Sequence, residues 1–268
     1  MAQPPSAESP RMTPLARKLS WFGELAAGDS EILDTLQATP RLVRRNRDIV
    51  TEGRSYETLF VLQEGSAIRY RILRDGRRQV LNILLPGDFV GFPGCFFENA
   101  LYAITALSDA VICPVPFAVL MGLFEQRPRL AAMIFWSFAC EAAIYAEHLI
   151  DVGRRSALER VAHFLLELLI RLQMVGLADE NSYRMPLTQE LIADVLGLSV
   201  PHVNRTFRQL RDDGLVTLEE QRVAINDIVA LSTLADFEKT YLSRFRFPET
   251  PDGGNEAASP LAQGKLAG

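Results

Sequence analysis

Histidine and cysteine are scarce in this chain of 268 residues, with three of each. Cys95, Cys113 and Cys140 lie far apart, so they offer neither a disulfide framework nor a paired CxxC metal knuckle. Three histidines leave little acid–base chemistry to build on. No nucleophile elbow, P-loop, HExxH or dinucleotide fingerprint is present, which argues against an enzyme. The opening residues, MAQPPSAESPRMTP, lack the apolar core of a signal peptide. The most apolar stretch, Leu130 to Ile150, is interrupted by Glu141, Glu147 and His148, and is read as too polar and too short for a membrane span. A cytoplasmic protein without a membrane partner is the expectation. Excess positive charge is missing too: the formal net charge is −5. That excludes a protein coating nucleic acid everywhere, but leaves room for one local basic surface.

What is present suits a soluble globular chain with two cores: 48% apolar and 23% charged residues. Residues 1–14 hold four prolines and read as a flexible arm, and residues 249–268 read as a flexible tail. From Phe60 to Pro116 the chain reads as strands. Gly65, Gly76 and Gly87 recur every eleven residues, the turn spacing of a small β-barrel or sandwich. Asp75-Gly76 centres a hairpin in which both positions can take positive φ. Ile68, Tyr70 and Ile72 alternate with Arg69 and Arg71, the pattern of a strand with one wet face.

From Phe117 the pattern turns helical. A run from Leu130 to Val152 is apolar almost all round, so it must be covered on more than one side. A barrel can cover one side and a second copy of the helix the other, which implies a twofold dimer, with Gly153 ending the helix. A further helix over Ser156–Met174 carries a stripe of Val161, Phe164, Leu165, Leu168 and Leu172.

After a polar break at Ala178–Tyr183, Thr188 is a candidate N-cap for a helix Gln189–Leu196, with Glu190 in its first turn. Gly197 can end that helix in the left-handed conformation. Ser199 then caps a second helix, in which Pro201 sits early enough to cost no hydrogen bond. Helix, three-residue turn, helix is a helix-turn-helix unit. Ile192, Leu196, Leu198, Val203, Phe207 and Leu210 supply its shared core. His202, Asn204, Arg205, Thr206, Arg208 and Arg211 are left for solvent or ligand. Arginine and asparagine make bidentate contacts to guanine and adenine edges. Two short runs, Leu215–Leu218 and Arg222–Ile225, read as a hairpin wing, and Leu231–Phe245 as a closing helix. Spaced arginines alone are an ordinary solvated face; the caps, the glycine turn and the wing together point to DNA. Winged helices also dock proteins, so a ligand-responsive module whose winged helix binds a protein partner is the alternative.

The order of these parts resembles the Crp/Fnr transcription regulators. The stretches VLQEGSAIRYRILRDGRRQVLNILLPGDFVG, GRRSALERVAHFLLEL and LTQELIADVLGLSVPHVNRTFRQLRDDGLV carry the resemblance. It implies an α+β protein: a β-roll sensor resembling a cyclic-nucleotide-binding domain over 15–126, a dimerisation helix over 127–153 and a winged helix-turn-helix over 154–248. It also implies a homodimer on a palindromic operator and contact with RNA polymerase. Arg205 matches a base-reading arginine of the family. The two other common readers fall on Val200 and Pro201, so the operator is expected to differ from the best-known consensus. The expected DNA-binding set is Thr188, Ser199, His202, Asn204, Arg205, Thr206 and Arg208.

The sensor departs from the family's cyclic-nucleotide binders. Between Val90 and Leu107 there is no Arg or Lys; Phe92 stands at the ribose glutamate, and Ala100 and Leu101 stand at the phosphate arginine and its hydroxyl neighbour. A buried phosphate without a cation is unfavourable, so no cyclic nucleotide is expected. Phe92, Phe96, Phe97, Leu101 and Tyr102 either line a pocket for another effector or fill the vacated space. Three cysteines, none before Cys95, do not match an iron–sulfur cluster. His148 and His163 are read as packed helix residues rather than haem ligands, and Cys95 as a small filler rather than a redox switch.

Overall fold

The computed structural model describes residues 12–243. The expected arm up to residue 11 and the tail over 249–268 lie outside those residues.

Two short helices open the fold, α1 (Pro14–Phe22) and α2 (Asp29–Leu36). Neither is expected from the sequence. Thr13 caps α1 through its hydroxyl and Pro14 takes the first helical position, so the helix begins inside the stretch read as an arm. The next eight strands are β1 (Arg41–Val43), β2 (Asp48–Val50), β3 (Thr58–Glu64), β4 (Ala67–Ile72), β5 (Arg78–Leu84), β6 (Phe89–Val90), β7 (Ala103–Ala106) and β8 (Ala110–Pro116). They form two antiparallel four-stranded sheets, ordered β1-β8-β3-β6 and β2-β7-β4-β5. Between the sheets lies a core that includes Leu62, Ala67, Leu84, Ile104 and Ile112. Gly65, Gly76 and Gly87 all sit at positive φ, as their turn spacing implied. Asp75 does not. Its carboxylate instead accepts from the Arg77 amide and guanidinium, which holds the β4–β5 turn with one left-handed residue rather than two.

The β4 strand also corrects the expected wet face. Arg69 is 1% exposed, whereas Ile72 is 57% exposed. The alternation fails because the sheet is covered on both faces at one end of the strand and on neither at the other.

Helix α3 (Phe117–Gln126) leads into α4 (Pro128–Arg154), 27 residues long. Gly153 does not end α4. The chain turns extended only at Arg155, where Ser156 starts α5 (Ala157–Met174) with a reciprocal capping box to Glu159. By length and composition α4 would suffice to cross a membrane, contrary to the sequence expectation. In the fold its face with Met133, Ile134 and Phe138 is buried against α1, α3 and the roll.

The C-terminal part contains β9 (Ser182–Arg184), α6 (Gln189–Leu196), α7 (Val200–Asp212), β10 (Val216–Glu219), β11 (Arg222–Ile225) and α8 (Ile228–Ala235). The stretch read as a polar break supplies β9, which pairs with β11 and turns the wing into a three-stranded sheet. Tyr183 anchors β9, fully buried, with its hydroxyl donating to the Leu165 carbonyl at 2.9 Å. The expected long closing helix is short. Asp236 adopts the left-handed conformation and ends α8, and among the described residues only a 3-10 turn over Lys239–Leu242 follows; positions 244–245 of the expected helix lie outside them.

Candidate nucleic-acid interface

Helix α6 begins at Thr188, whose hydroxyl accepts from the Leu191 amide at 3.2 Å, and ends at Gly197 with φ +64°. Ser199 stands at the N-cap position of α7, and its carbonyl accepts the first helical bonds from His202 and Val203. Its hydroxyl makes no capping bond, contrary to expectation, and is exposed. Val203, Phe207 and Leu210 are buried against Ile192, Ala193 and Leu196 of α6, and that packing fixes which face of α7 turns outward.

The outward face carries Pro201, His202, Asn204, Arg205, Arg208, Gln209 and Arg211, all exposed. The guanidiniums of Arg205, Arg208 and Arg211 make no hydrogen bond or ion pair with another described residue. Thr206 does not belong to this face. It is 5% exposed, one residue before Phe207 on the inner stripe, so the rotation of the helix removes it from the expected set. The wing turns at Glu220 and Gln221, both at positive φ, and Arg222 on β11 pairs with Asp179.

A second polar assembly lies inside. Arg69 projects from β4 to α4, donating to Glu141 at 2.5 Å and to the Tyr145 hydroxyl. Asn82, its cross-strand partner, donates to the same Glu141 oxygen. The Asn82 carbonyl accepts from Arg171 on α5, which also reaches Glu167 at 3.0 Å and Asp88 at 3.2 Å. Lys18 completes the chain of charges on Asp88 at 2.5 Å. His148 of α4 meets Glu167 at 3.1 Å. Burial alone would raise the Glu167 carboxyl, but His148 and Arg171 outweigh it and hold the pKa down to about 2. These contacts tie the roll, α4 and α5 into one body. Sequence reasoning missed them, although Glu141 and Tyr145, one helical turn apart in a largely apolar run, were the signal.

Residues 40–127 match the family model described as "Cyclic nucleotide-binding domain", and residues 159–234 match "Crp-like helix-turn-helix domain". The chain belongs to the Crp/Fnr family. Among its relatives, the nitrogen fixation regulation protein FixK of Azorhizobium caulinodans is 30% identical over 197 residues, 73% of this chain and 79% of that one. The transcriptional activator protein anr of Pseudomonas aeruginosa is 27% identical over 84% of this chain and 90% of its own. The structure of FixK2 from Bradyrhizobium japonicum superposes with a TM-score of 0.65 at 27% identity, covering 73% of this chain and 96% of the other. As a Crp/Fnr protein, the chain is a DNA-binding transcription regulator.

Other members of the Crp/Fnr family place a cyclic nucleotide in the roll. Here the corresponding segment offers no fit. Phe92 stacks on Phe138 of α4, with centroids 3.9 Å apart and planes at 9°. Phe96 packs edge-on to Phe92 and Phe117 while remaining 55% exposed. Ala100 is buried, its amide bonded to the Arg54 carbonyl. Phe97 is 50% and Leu101 38% exposed, and Tyr102 is half-buried. Of the five residues read as pocket lining or space filling, Phe92 and Phe96 therefore join an aromatic cluster against α4, Phe97 and Leu101 lie at the surface, and Tyr102 stands between. Arg69 is buried, with Nη1 held by Glu141 and Tyr145 and Nη2 without a hydrogen-bond partner among the described residues. An iron–sulfur cluster does not fit either. Cys113 on β8 donates to the Gln37 carbonyl and Cys140 on α4 to that of Tyr241, while Cys95 lies in a 3-10 turn. Among the described residues no group of three His, Cys, Asp or Glu side chains is placed to hold a metal ion.

Proposed function

We propose that the protein works as a homodimer on a palindromic operator, with the outward face of α7 in the major groove of each half-site. The observation that carries this reading is the set of exposed guanidiniums on α7 with no partner among the described residues. Arg205 is assigned a base edge, with Asn204, His202 and Arg208 beside it, while Thr188 and Ser199 face phosphates at two helix N-termini. Pairing is assigned to α4. Phe135, Ala139, Ala142, Ala146, Leu149 and Gly153 are all exposed and recur at alternating steps of four and three, the seam of a two-stranded coiled coil. Phe135 is 63% and Leu149 74% exposed. Small residues along the rest of the seam let two copies approach closely. The regulator acts in the cytoplasm, engages RNA polymerase, catalyses no reaction and is not controlled by a cyclic nucleotide, haem or iron–sulfur cluster.

Binding to genomic fragments across a salt series tests the interface. The expected result is a palindromic consensus and a logarithm of affinity that falls linearly with the logarithm of salt. Fragments without a shared twofold motif overturn it. Leu149→Glu should convert the dimer to monomer in sedimentation and abolish operator binding; a persisting dimer overturns the assignment to α4. Calorimetry with cyclic AMP and cyclic GMP should show no binding.

A further inference from the structure

The last turn of α6 cannot satisfy its own backbone. The amides of Gly197 and Leu198 both go to the Ala193 carbonyl, so the carbonyls of Asp194, Val195 and Leu196 receive side chains instead. Those side chains come from outside the helix-turn-helix. Gln79 of β5 donates its amide nitrogen to the Asp194 carbonyl at 3.1 Å and reaches that of Val195 at 3.5 Å. Arg160 of α5 donates to the Leu196 carbonyl at 3.3 Å, and also to the carbonyls of Val152 and Arg155 at the end of α4. Asp194 adds a second difficulty, since its carboxylate stands at the negative end of the helix dipole. Arg78, beside Gln79, answers it with Nε at 2.8 Å and Nη2 at 2.6 Å, both on one carboxylate oxygen. The Arg78 guanidinium itself lies over the Tyr70 ring, 5.8 Å from the centroid. Behind these polar contacts Val80 of β5 and Val195 and Leu196 of α6 belong to one buried cluster.

We infer that Arg78 and Gln79 are positioning residues for DNA recognition: β5 clamps the end of α6 and so presets the direction of α7 relative to the roll. The route is short. Only Gly197, Leu198 and Ser199 separate the clamped end from α7, and the packing of Val203, Phe207 and Leu210 makes α7 follow α6 as one piece. The donors are well placed for this task. β5 is an edge strand of its sheet, and Arg78 and Gln79 are its first two residues, so both can reach beyond the roll. The clamp leaves the outward face of α7 exposed, and therefore holds it ready rather than covering it. A helix that is loose against its support occupies the binding direction only part of the time, and its apparent affinity falls by that fraction. The inference rests on α7 being the helix that meets DNA, and not on which of its residues read bases.

Residual dipolar couplings of the perdeuterated full chain measure the direction of α7 against the roll without any DNA. In the parent one alignment tensor should fit both. Arg78→Ala combined with Gln79→Ala should shrink the α7 couplings and leave those of the roll in place, and operator affinity should fall about fivefold. Charge exchange separates a clamp from a general loss of stability. Arg78→Glu should loosen α7 by repelling Asp194, and adding Asp194→Arg should restore both the couplings and the ratio of operator to nonspecific affinity. Unchanged couplings in the double alanine variant, a rise in its operator affinity, or no restoration by the exchange each overturns the clamp. Arg205→Ala is the control for the underlying reading. A loosened α7 with unaltered affinity overturns the clamp alone where Arg205→Ala weakens binding, and overturns the reading of α7 as well where it does not.

Discussion

Two sets of arginines divide this molecule. Arg69 and Arg171 lie in the interior, each bonded to a carboxylate and to at least one neutral oxygen. Arg205, Arg208 and Arg211 stand on α7 with no such partner among the described residues. The difference is one of desolvation. A guanidinium taken out of water must find its counter-charges within the fold, and one left in water stays available to an outside anion. The interior set therefore holds the roll, α4 and α5 together, and the exterior set waits for phosphate and base edges.

The sharpest way to break the contrast is to delete one arginine from each set. Arg171→Ala removes one of two cationic partners from each of Glu167 and Asp88, leaving His148 and Lys18, and should cost about 3 kcal/mol in urea unfolding, while the operator affinity of the folded fraction stays the same. A loss under about 1 kcal/mol would mean that the buried carboxylates simply protonate or hydrate.

Acid offers the same test without mutation. The Glu167 pKa lies below its ordinary 4.5, near 2, so its stabilising contribution is complete above the ordinary value and is lost as pH falls toward the folded one. Unfolding free energy should drop by about 3 kcal/mol from this group between pH 5 and 2, and Glu167→Gln should flatten that part of the profile.

On the outer set the effects are smaller and move to a different observable. Arg205→Ala should leave folding within about 0.5 kcal/mol of the parent and cost about 1–3 kcal/mol on the operator, with discrimination relaxed at one position. Uniform weakening over all sequences would reassign Arg205 to phosphate. Smallest of all, Arg211→Ala near the end of α7 should weaken every duplex alike and reduce the salt slope by about 1. Selective loss at one base pair would move Arg211 into the reading set.

Much of the C-terminal unit was legible because its signals are local. Thr188 as a cap, Gly197 at positive φ and the stripe of Val203, Phe207 and Leu210 all depend on residues within a turn or two of each other. Thr206 was misread for a related reason. It borders the stripe, and only the crossing of α7 over α6 decides that its side chain turns inward. In the roll, alternation identified β4 as a strand but named the wrong wet residues, because Arg69 is buried by α4, some seventy residues later in the chain. The strand β9 was hidden in a polar stretch, since its place is set by pairing with β11 and by Tyr183 reaching α5.

The order of roll, long helix and winged helix-turn-helix was determined by the sequence alone, through periodicity, caps and glycine turns, which need no distant neighbour. Which arginines are spent inside and which remain outside was decided only by the tertiary structure. Burial and charge pairing depend on what covers a side chain, and the covering elements here lie far away along the chain.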